Sequence, residues 1–275
     1  MSTEQLIRDF YNAMHSVHIQ PGNAYDLSDQ LHDLTVHKHL DQDPLIQFRE
    51  VYQWLQQAGV QRIADAGCGY GGFAVYLASQ APALHVDGYT LSDVQQAIAQ
   101  QVFTRRHMPQ ARVLLQSYDH LVQQYDAIVA IESLGHAADA AVTLHHWARH
   151  LSPEGLVVII DEVFRPEVSP AHPEIQQFMQ FWRFSVLLQR ARVEALVHAA
   201  GLHIAAWDVL SERYHVPNRP DDECDHLLQT YQEQSAHPGY IGGILLEKFY
   251  NRAWVDYVLM VLRPRSARRS YAAQA

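Results

Sequence analysis

Glu132 and His136 lie four positions apart, directly after the short apolar run Ala127–Ile131. Such a run predicts a buried strand, and ligands of doubly wound sheets bind beyond the carboxyl ends of their strands. A carboxylate and an imidazole at that edge can serve as a general base and its partner. A structural interpretation has equal weight, because Glu132 could instead cap the next helix and His136 could be a hydrogen-bonded surface group.

A glycine-rich turn follows a second apolar run, Arg62–Ala66, and leads into a helical pattern. It reads Asp65-Ala-Gly67-Cys-Gly69-Tyr-Gly71-Gly72. Glycines at 67, 69 and 71 allow a tight turn and let a ligand approach the backbone without Cβ interference. Asp65 can accept a hydrogen bond from the ligand's amine or orient the loop amides. The D-x-G-x-G-x-G spacing favours S-adenosylmethionine (SAM) over NAD, and a glycine turn without a ligand is the structural alternative.

The elements that must position these residues alternate between strands and helices. Short apolar runs bounded by turn residues predict four buried parallel strands, at Arg62–Ala66, Leu84–Tyr89, Ala127–Ile131 and Leu156–Asp161. Helical patterns lie between them, at Gly72–Ser79, Asp93–His107 and Ala140–His150. This alternation indicates βαβ units and an α/β fold with a Rossmann-like, doubly wound sheet.

Helical segments flank this core on both sides. Patterns at Thr3–His15 and Pro44–Gln57 precede it. Pro166–Gln234 is mostly helical, with two helices in Glu174–Gly201, before a last strand at Trp254–Leu262. We therefore expect a helical lid or substrate segment (1–57), a cofactor-binding core (58–165), an inserted helical substrate-side segment that returns to the final core strands (166–265) and a flexible tail (266–275).

The segment after the second strand resembles known families. Gly88-Tyr-Thr90-Leu91-Ser92-Asp-Val-Gln95 resembles the G-x-T-L-S-x-x-Q pattern of the cyclopropane mycolic acid synthases and of related class I C-methyltransferases that act on geranyl or isopentenyl diphosphate. The resemblance implies a seven-stranded sheet and SAM as cofactor. It implies that Thr90, Leu91 and Gln95 line the cofactor site, although Thr90 or Ser92 also suits a helix N-cap; both roles can coexist.

The same resemblance assigns further cofactor residues. It implies that the segment Ser117-Tyr118-Asp119 surrounds the adenine, with Tyr118 stacked on the ring and Asp119 accepting from its amino group. A surface turn is the alternative for this segment. Ile131, at the end of its strand, is also expected at the cofactor.

Glu132 aligns with the glutamate that follows the fourth strand in the geranyl diphosphate C-methyltransferases. The cyclopropane synthases hold bicarbonate with a glutamate three positions later, where this chain has Gly135. That difference favours methyl addition over ring closure. An alkene carbon has no proton to remove beforehand, so its π bond attacks the methyl group directly and a carbocation results. Aromatic faces would stabilise the cation, and Glu132 would then remove a proton.

Four residues are predicted to contact the acceptor: Tyr25, Phe181, Trp182 and Arg183. Tyr25 would close over the sulfonium. Phe181 and Trp182, with Phe184, would form an aromatic wall unless they serve core packing. A diphosphate would also need positive charge, from Mg²⁺ or from arginine. The arginine candidates are Arg165, Arg183, Arg213 and Arg252.

Composition narrows the functional class. The chain has 275 residues, of which 48% are hydrophobic, enough for a sizeable core. A formal net charge of −10 argues against a nucleic-acid partner. With no apolar signal core, no 18-residue apolar span and only two cysteines, the sequence predicts a cytoplasmic protein without a membrane partner. The expected partner is a small-molecule substrate, and a homo-oligomer is left open.

Three hypotheses about function follow. The first is a SAM-dependent C-methyltransferase for an alkene, with a prenyl diphosphate as acceptor. The second is an N- or O-methyltransferase of another small natural product, and the third is a non-catalytic SAM-binding protein. No protein-held metal is expected, because His32, His37 and His39 lack the spacing of a metal site.

Overall fold

A seven-stranded sheet forms the centre of the computed structural model, which describes residues 2–18, 34 and 37–265. The strands are β1 (Arg62–Ala66), β2 (His85–Thr90), β3 (Ala111–Leu115), β4 (Tyr125–Ile131), β5 (Leu151–Phe164), β6 (Leu202–Val209) and β7 (Val255–Pro264). Their spatial order is β3-β2-β1-β4-β5-β7-β6. β7 is antiparallel to β5 and β6, and the other neighbouring pairs are parallel. The predicted Rossmann-like sheet is thereby confirmed.

Ten α-helices surround the sheet in this part of the chain. They are α1 (Thr3–His18), α2 (Ile46–Ala58), α3 (Gly72–Gln80), α4 (Asp93–Arg105), α5 (Ala140–His150), α6 (Pro173–Trp182), α7 (Arg190–Ala199), α8 (Leu210–Arg213), α9 (Asp221–Glu233) and α10 (Pro238–Asn251). Short 3₁₀ turns occupy Leu40–Gln42 and Leu134–His136. None of the helices just given is long and apolar enough to cross a membrane.

Helices cover both faces of the sheet, so its central strands lack the alternation of apolar and polar residues. Four of the five residues of β1 are buried, and so is every residue of β5 from Gly155 to Phe164. One apolar core fills the space between the sheet and α2–α4, and a second packs under α5 and α7. In register, Asp65 lies beside Gly88 and Val129, so β1, β2 and β4 end at the same edge.

A helical cap, made of α1, α6, α9 and α10, lies beyond that edge. Its own apolar cluster joins Ile175 and Phe178 of α6 to Leu245 and Phe249 of α10. α9 packs on α10, and α1 packs on α4. The N-terminal and inserted helical elements expected from the sequence therefore meet over one end of the sheet.

Two strands differ from the prediction. β6 lies inside Pro166–Gln234, which was expected to be mostly helical, and β3 was not expected as a strand. Both are edge strands with exposed or half-buried positions, so neither carries a continuous apolar run. The two predicted helices of Glu174–Gly201 are present as α6 and α7. The tail expected at 266–275 lies outside the described residues.

Candidate active site

A cavity of about 640 Å³ lies between the carboxyl edge of the sheet and the helical cap. Nearly all of the described residues that the sequence assigned to the cofactor and to catalysis line it. These are Asp65, Gly67, Gly69, Thr90, Leu91, Gln95, Ser117, Tyr118, Asp119, Ile131, Glu132 and His136. Residues up to 71 positions apart in sequence thus share one wall because parallel strands end together.

The glycine loop at the end of β1 turns back towards β2. Gly67 and Gly69 have positive φ angles of 87° and 53°, a region that favours glycine. The Gly67 N–H donates to the carbonyl of Tyr89 (3.0 Å). A Cβ added at Gly67 would lie 2.6 Å from Cβ of Ser133. The loop therefore needs glycine in order to pack against the β4 end.

Gly71 differs from the other two loop glycines, because it lies at the N-terminus of α3 and does not line the cavity. A Cβ at Gly71 would approach the ring of Phe103 to 2.7 Å. Its predicted contact with the cofactor is therefore replaced by close packing of α3 on α4.

Asp65 supplies the test of whether the loop fits SAM. Its carboxylate is buried on the cavity wall, and Oδ2 has no hydrogen-bond partner among the described residues. Burial raises the pKa of Asp65 to about 7. A buried, unpaired carboxylate oxygen is costly unless a ligand satisfies it. The ammonium of a SAM methionine group has the charge and the donors to do so.

The β2–α4 turn is rigid and is joined to the cap. The Thr90 hydroxyl donates to Oε1 of Gln95 (2.9 Å) and accepts from the Ser92 N–H (3.1 Å). Ser92 Oγ accepts from the Gln95 N–H (3.1 Å), so Ser92 is the N-cap of α4. Arg8 of α1 donates to the carbonyl of Leu91 (3.1 Å). Thr90, Leu91 and Gln95 hence combine the capping geometry with a place on the cavity wall.

Tyr118 and Asp119 are held in place by hydrogen bonds to Ser133, Trp147 and Thr143. The Tyr118 hydroxyl donates to the backbone carbonyl of Ser133 (2.7 Å). The backbone carbonyl of Tyr118 accepts from Nε1 of Trp147 (3.0 Å). The Asp119 carboxylate accepts from the hydroxyl of Thr143. Because both side chains also line the cavity, they can take part in an adenine site as well as in the turn.

Glu132 does not cap a helix. Its Oε1 accepts from the Tyr257 hydroxyl (2.7 Å) and from the Lys38 N–H (3.0 Å), and lies 3.8 Å from Nζ of Lys38. The Lys38 ammonium also pairs with Glu162. No described residue donates to Oε2 of Glu132. The carboxylate is thus fixed through one oxygen, while the other is free to accept a proton.

Lys38, Glu162 and Tyr257 were missed by sequence reasoning, and so was the buried Asp161. Lys38 lies 94 positions before Glu132, and Asp161, Glu162 and Tyr257 lie 29, 30 and 125 positions after it. No local sequence motif therefore links these residues to Glu132. Lysine is otherwise rare here, with only Lys38 and Lys248 in the chain. That rarity was the one available signal.

His136 has a different partner from the one predicted. Its Nε2 lies 2.8 Å from the hydroxyl of Tyr11 in α1, and its ring packs edge-on against Phe184 at 4.7 Å. Burial lowers the pKa of His136 to about 4, so the imidazole is neutral near pH 7. The expected pairing of His136 with Glu132 is wrong because Lys38 and Tyr257 occupy that position.

The predicted acceptor residues are divided between cavity and core. Trp182 lines the cavity with Phe178 and Phe184, whereas Phe181 packs into the cap and Arg183 ends α6 in the left-handed conformation. Neither Phe181 nor Arg183 lines the cavity, which corrects both predictions. Tyr25 and His32 lie outside the described residues. Within the described ranges, no group of three or more His, Cys, Asp or Glu side chains could hold a metal.

Comparison with known proteins agrees with the geometry. Residues 25–206 match the methyltransferase domain family. The chain belongs to that family. The O-methyltransferase rstn1 of Aspergillus nomiae is 29% identical over 160 residues, which cover 57% of this chain and 70% of the relative. Cyclopropane-fatty-acyl-phospholipid synthase of Escherichia coli K12 is 35% identical over 107 residues, which cover 38% of this chain and only 27% of that protein.

A solved structure is similar over the whole methyltransferase fold. Geranyl diphosphate C-methyltransferase of Streptomyces coelicolor A3(2) has a TM-score of 0.70 at 14% identity, over 95% of this chain and 98% of the other. At that identity the likeness establishes the fold. Together with the family match, it identifies the protein as a class I SAM-dependent methyltransferase.

We expect Asp65→Asn to weaken binding of S-adenosylhomocysteine, which carries the same ammonium as SAM, by roughly 10- to 100-fold, since a charge-assisted hydrogen bond is lost. Free Asp65 has a pKa of about 7, so wild-type affinity should rise between pH 6 and pH 8 as the carboxylate ionises. Isothermal titration calorimetry across this range measures both effects. The exposed control Glu154→Gln should keep the wild-type slope; an equal slope in Asp65→Asn would contradict the assignment.

Proposed function

We propose that the enzyme transfers a methyl group to an alkene carbon of a small isoprenoid, with a prenyl diphosphate such as isopentenyl or geranyl diphosphate as acceptor. The observation that carries the proposal is the state of Glu132. It is a carboxylate fixed through Oε1, with Oε2 free, on the wall of a cavity that is also lined by the glycine loop and by the rings of Phe178, Trp182 and Phe184. A cation formed next to such rings is stabilised, and the carboxylate can take its proton.

The chemistry divides between the cofactor and the chain. Bound SAM supplies a methyl group on a positively charged sulfur. The π electrons of the acceptor form the new carbon–carbon bond as the carbon–sulfur bond breaks and leaves its electrons on sulfur. Glu132 then accepts a proton from the carbon beside the cation, and the released electrons restore an alkene. Trp182, Phe178 and Phe184 exclude water, which would otherwise trap the cation as an alcohol.

A small-molecule O- or N-methyltransferase is the second candidate. His136 is neutral and lines the same cavity, as a general base for a hydroxyl or amine must. The relative from Aspergillus nomiae is an O-methyltransferase. His136 is, however, bonded to Tyr11 through Nε2, and its unpartnered Nδ1 is buried, whereas Oε2 of Glu132 accepts from no described residue and is not among the buried unpartnered atoms. That difference favours carbon as the acceptor.

The charges on the cavity wall set a condition for a diphosphate. Within the described part of the chain, the lysine and arginine residues that line the cavity are Lys38 and Arg219. Lys38 is paired with Glu162, and Arg219 is paired with Glu247. None of the four arginine candidates lines the cavity. Three of them are paired, Arg165 with Asp256, Arg213 with Glu50 and Arg252 with Glu174, and the fourth, Arg183, ends α6 outside the cavity wall. We therefore propose that a diphosphate enters with Mg²⁺ bound to it.

The acceptor is tested with isopentenyl, geranyl and farnesyl diphosphates and labelled SAM. We expect transfer to at least one of them in the presence of Mg²⁺ and loss of that transfer in EDTA, because both basic side chains on the described part of the cavity wall are already paired with glutamates. Geraniol, a phenol and an amine serve as matched acceptors without a diphosphate. Transfer to the phenol or amine alone would overturn the proposal in favour of the second candidate.

Glu132→Gln is expected to lower the rate of alkene formation by roughly 10²- to 10⁴-fold, the usual contribution of a general base. Product analysis by gas chromatography and mass spectrometry should show that methylated alcohol replaces alkene, since water then captures the cation. Glu132→Asp keeps the carboxylate and should recover part of the alkene. Wild-type alkene output from Glu132→Gln would remove Glu132 from this role.

Gly243 is expected to limit acceptor size. It lies on the cavity-lining face of α10 between Gly239 and Glu247, and an added Cβ there meets no atom within 4 Å. Gly243→Val and Gly243→Phe should therefore fold and project into the cavity. The loss of kcat/KM should grow with acceptor length, from isopentenyl to farnesyl diphosphate, so the short acceptor acts as an internal control. Equal losses for all lengths would show that Gly243 does not set the size.

A further inference from the structure

In the described part of the chain, Lys38 of the loop before α2 supplies the only ammonium near three carboxyl groups, of which Asp161 and Glu162 are buried and Glu132 is half-buried. Glu132 follows β4, and Asp161 and Glu162 are neighbours in β5. Asp161 and Glu162 are 0% and 4% exposed, so water does little to stabilise their charges. Lys38 pairs with Glu162 and lies 3.8 Å from Oε1 of Glu132.

Lys38 is itself held by several contacts. Its N–H donates to Oε1 of Glu132 (3.0 Å), and its carbonyl accepts from the side chain of Gln47 in α2. Its ammonium also lies 5.6 Å from the ring centre of Tyr257 and 5.8 Å from that of Tyr250. Backbone and side chain of one residue therefore act on the same carboxylate, one by a hydrogen bond and the other by charge.

Other titratable groups face this cluster without supplying positive charge near pH 7. Tyr257, Tyr250 and Tyr11 come from β7, α10 and α1, and burial raises the pKa of each hydroxyl, so all three stay neutral. Burial lowers the pKa of both His136 and His37. His39 stands beside His37. Among the charged groups that act on Glu132, Lys38 has the largest stabilising effect and His37 the second.

We propose that Lys38 is a positioning residue: its ammonium keeps Glu132 ionised, and its N–H fixes Oε1 so that Oε2 faces the acceptor. The electrostatic part stands on the contacts alone, whereas the catalytic consequence rests on the proposed role of Glu132 as base. It follows that the methyltransferase has a competent base only when the loop that carries Lys38 is seated on the sheet edge.

The pKa directions agree with this arrangement. Burial alone raises the pKa of Glu132, but the charge of Lys38, followed by that of His37 and by the hydrogen bonds from Lys38 and Tyr257, outweighs it and holds that pKa below its ordinary value. Burial and the neighbouring carboxylates raise the pKa of Asp161 and Glu162. Asp161, which has no cationic partner among the described residues, is therefore the group of the cluster that holds a proton most readily, whereas Glu162 shares the charge of Lys38 and Glu132 is left ready to accept a proton.

The test measures the pKa of Glu132 without any acceptor. In enzyme labelled with ¹³C at glutamate Cδ and saturated with S-adenosylhomocysteine, the Glu132 signal is assigned by its loss in Glu132→Gln and titrated by NMR. Lys38→Met should raise the Glu132 pKa by at least one unit, and Lys38→Arg should keep it near the wild-type value. Glu162→Gln removes a competing negative charge, so it should lower the pKa.

The second readout is the pH dependence of kcat, measured with whichever of the three prenyl diphosphates the enzyme methylates. An ionised base loses activity as pH falls through its pKa, so Lys38→Met should move the acidic limb at least one unit upward and Lys38→Arg should restore it. An unchanged Glu132 pKa in both Lys38→Met and Glu162→Gln would overturn the proposal. If the NMR shifts appear while no acceptor is turned over, Lys38 acts as proposed and the proposed function is wrong.

The folding of Lys38→Met is checked by circular dichroism and by its affinity for S-adenosylhomocysteine. Should that variant fail to fold, Glu162→Gln still tests the charge coupling, because it predicts a shift of opposite sign and retains Lys38. A shift upward in Glu162→Gln would also overturn the proposal.

Discussion

Buried negative charge at the carboxyl edge of the sheet is the constraint on which this site depends. Glu132, Asp161 and Glu162 converge where water is scarce, and taking even one carboxylate out of water is costly unless it is paired. The Lys38 ammonium offsets that cost. The segment before α2 is therefore part of the site's electrostatics rather than a detachable cover.

The same constraint accounts for an unusual backbone conformation. Glu132 has a φ of 50°, which costs a non-glycine residue of order 1–2 kcal/mol. Its N–H still donates to the carbonyl of Ile160 (2.8 Å), so the sheet pairing continues while the side chain turns away from the strand. The turn brings Oε1 to Lys38 and to Tyr257 on β7. The antiparallel strand next to β5 thus contributes directly to the placement of Glu132, the proposed base.

The sequence was informative where the physics is local. The glycine loop, Ser92 as an N-cap and the apolar runs of β1 and β4 depend on neighbouring residues, and they agree with the structure. β6 is an edge strand with half-exposed positions, so it carried no comparable pattern. Lys38 lies 94 positions from Glu132. Such a charge pairing follows from the tertiary fold alone, and so does the bond between His136 and Tyr11.

The two candidate bases differ in what their free atoms can do. The Tyr11 hydroxyl is hydrogen-bonded to Nε2 of His136, and the other ring nitrogen, Nδ1, is buried with no hydrogen-bond partner among the described residues. For His136 to deprotonate a hydroxyl or amine, either the bond to Tyr11 must break or the acceptor must reach the buried Nδ1. Glu132 needs no such change, because its contacts use Oε1 and leave Oε2 open within the cavity. The proton on the carbon beside a cation is strongly acidic, so an ionised carboxylate, although a weak base, can remove it. An alcohol proton is much less acidic and needs a stronger base. This difference between the two side chains is the reason why we propose carbon, rather than oxygen or nitrogen, as the acceptor.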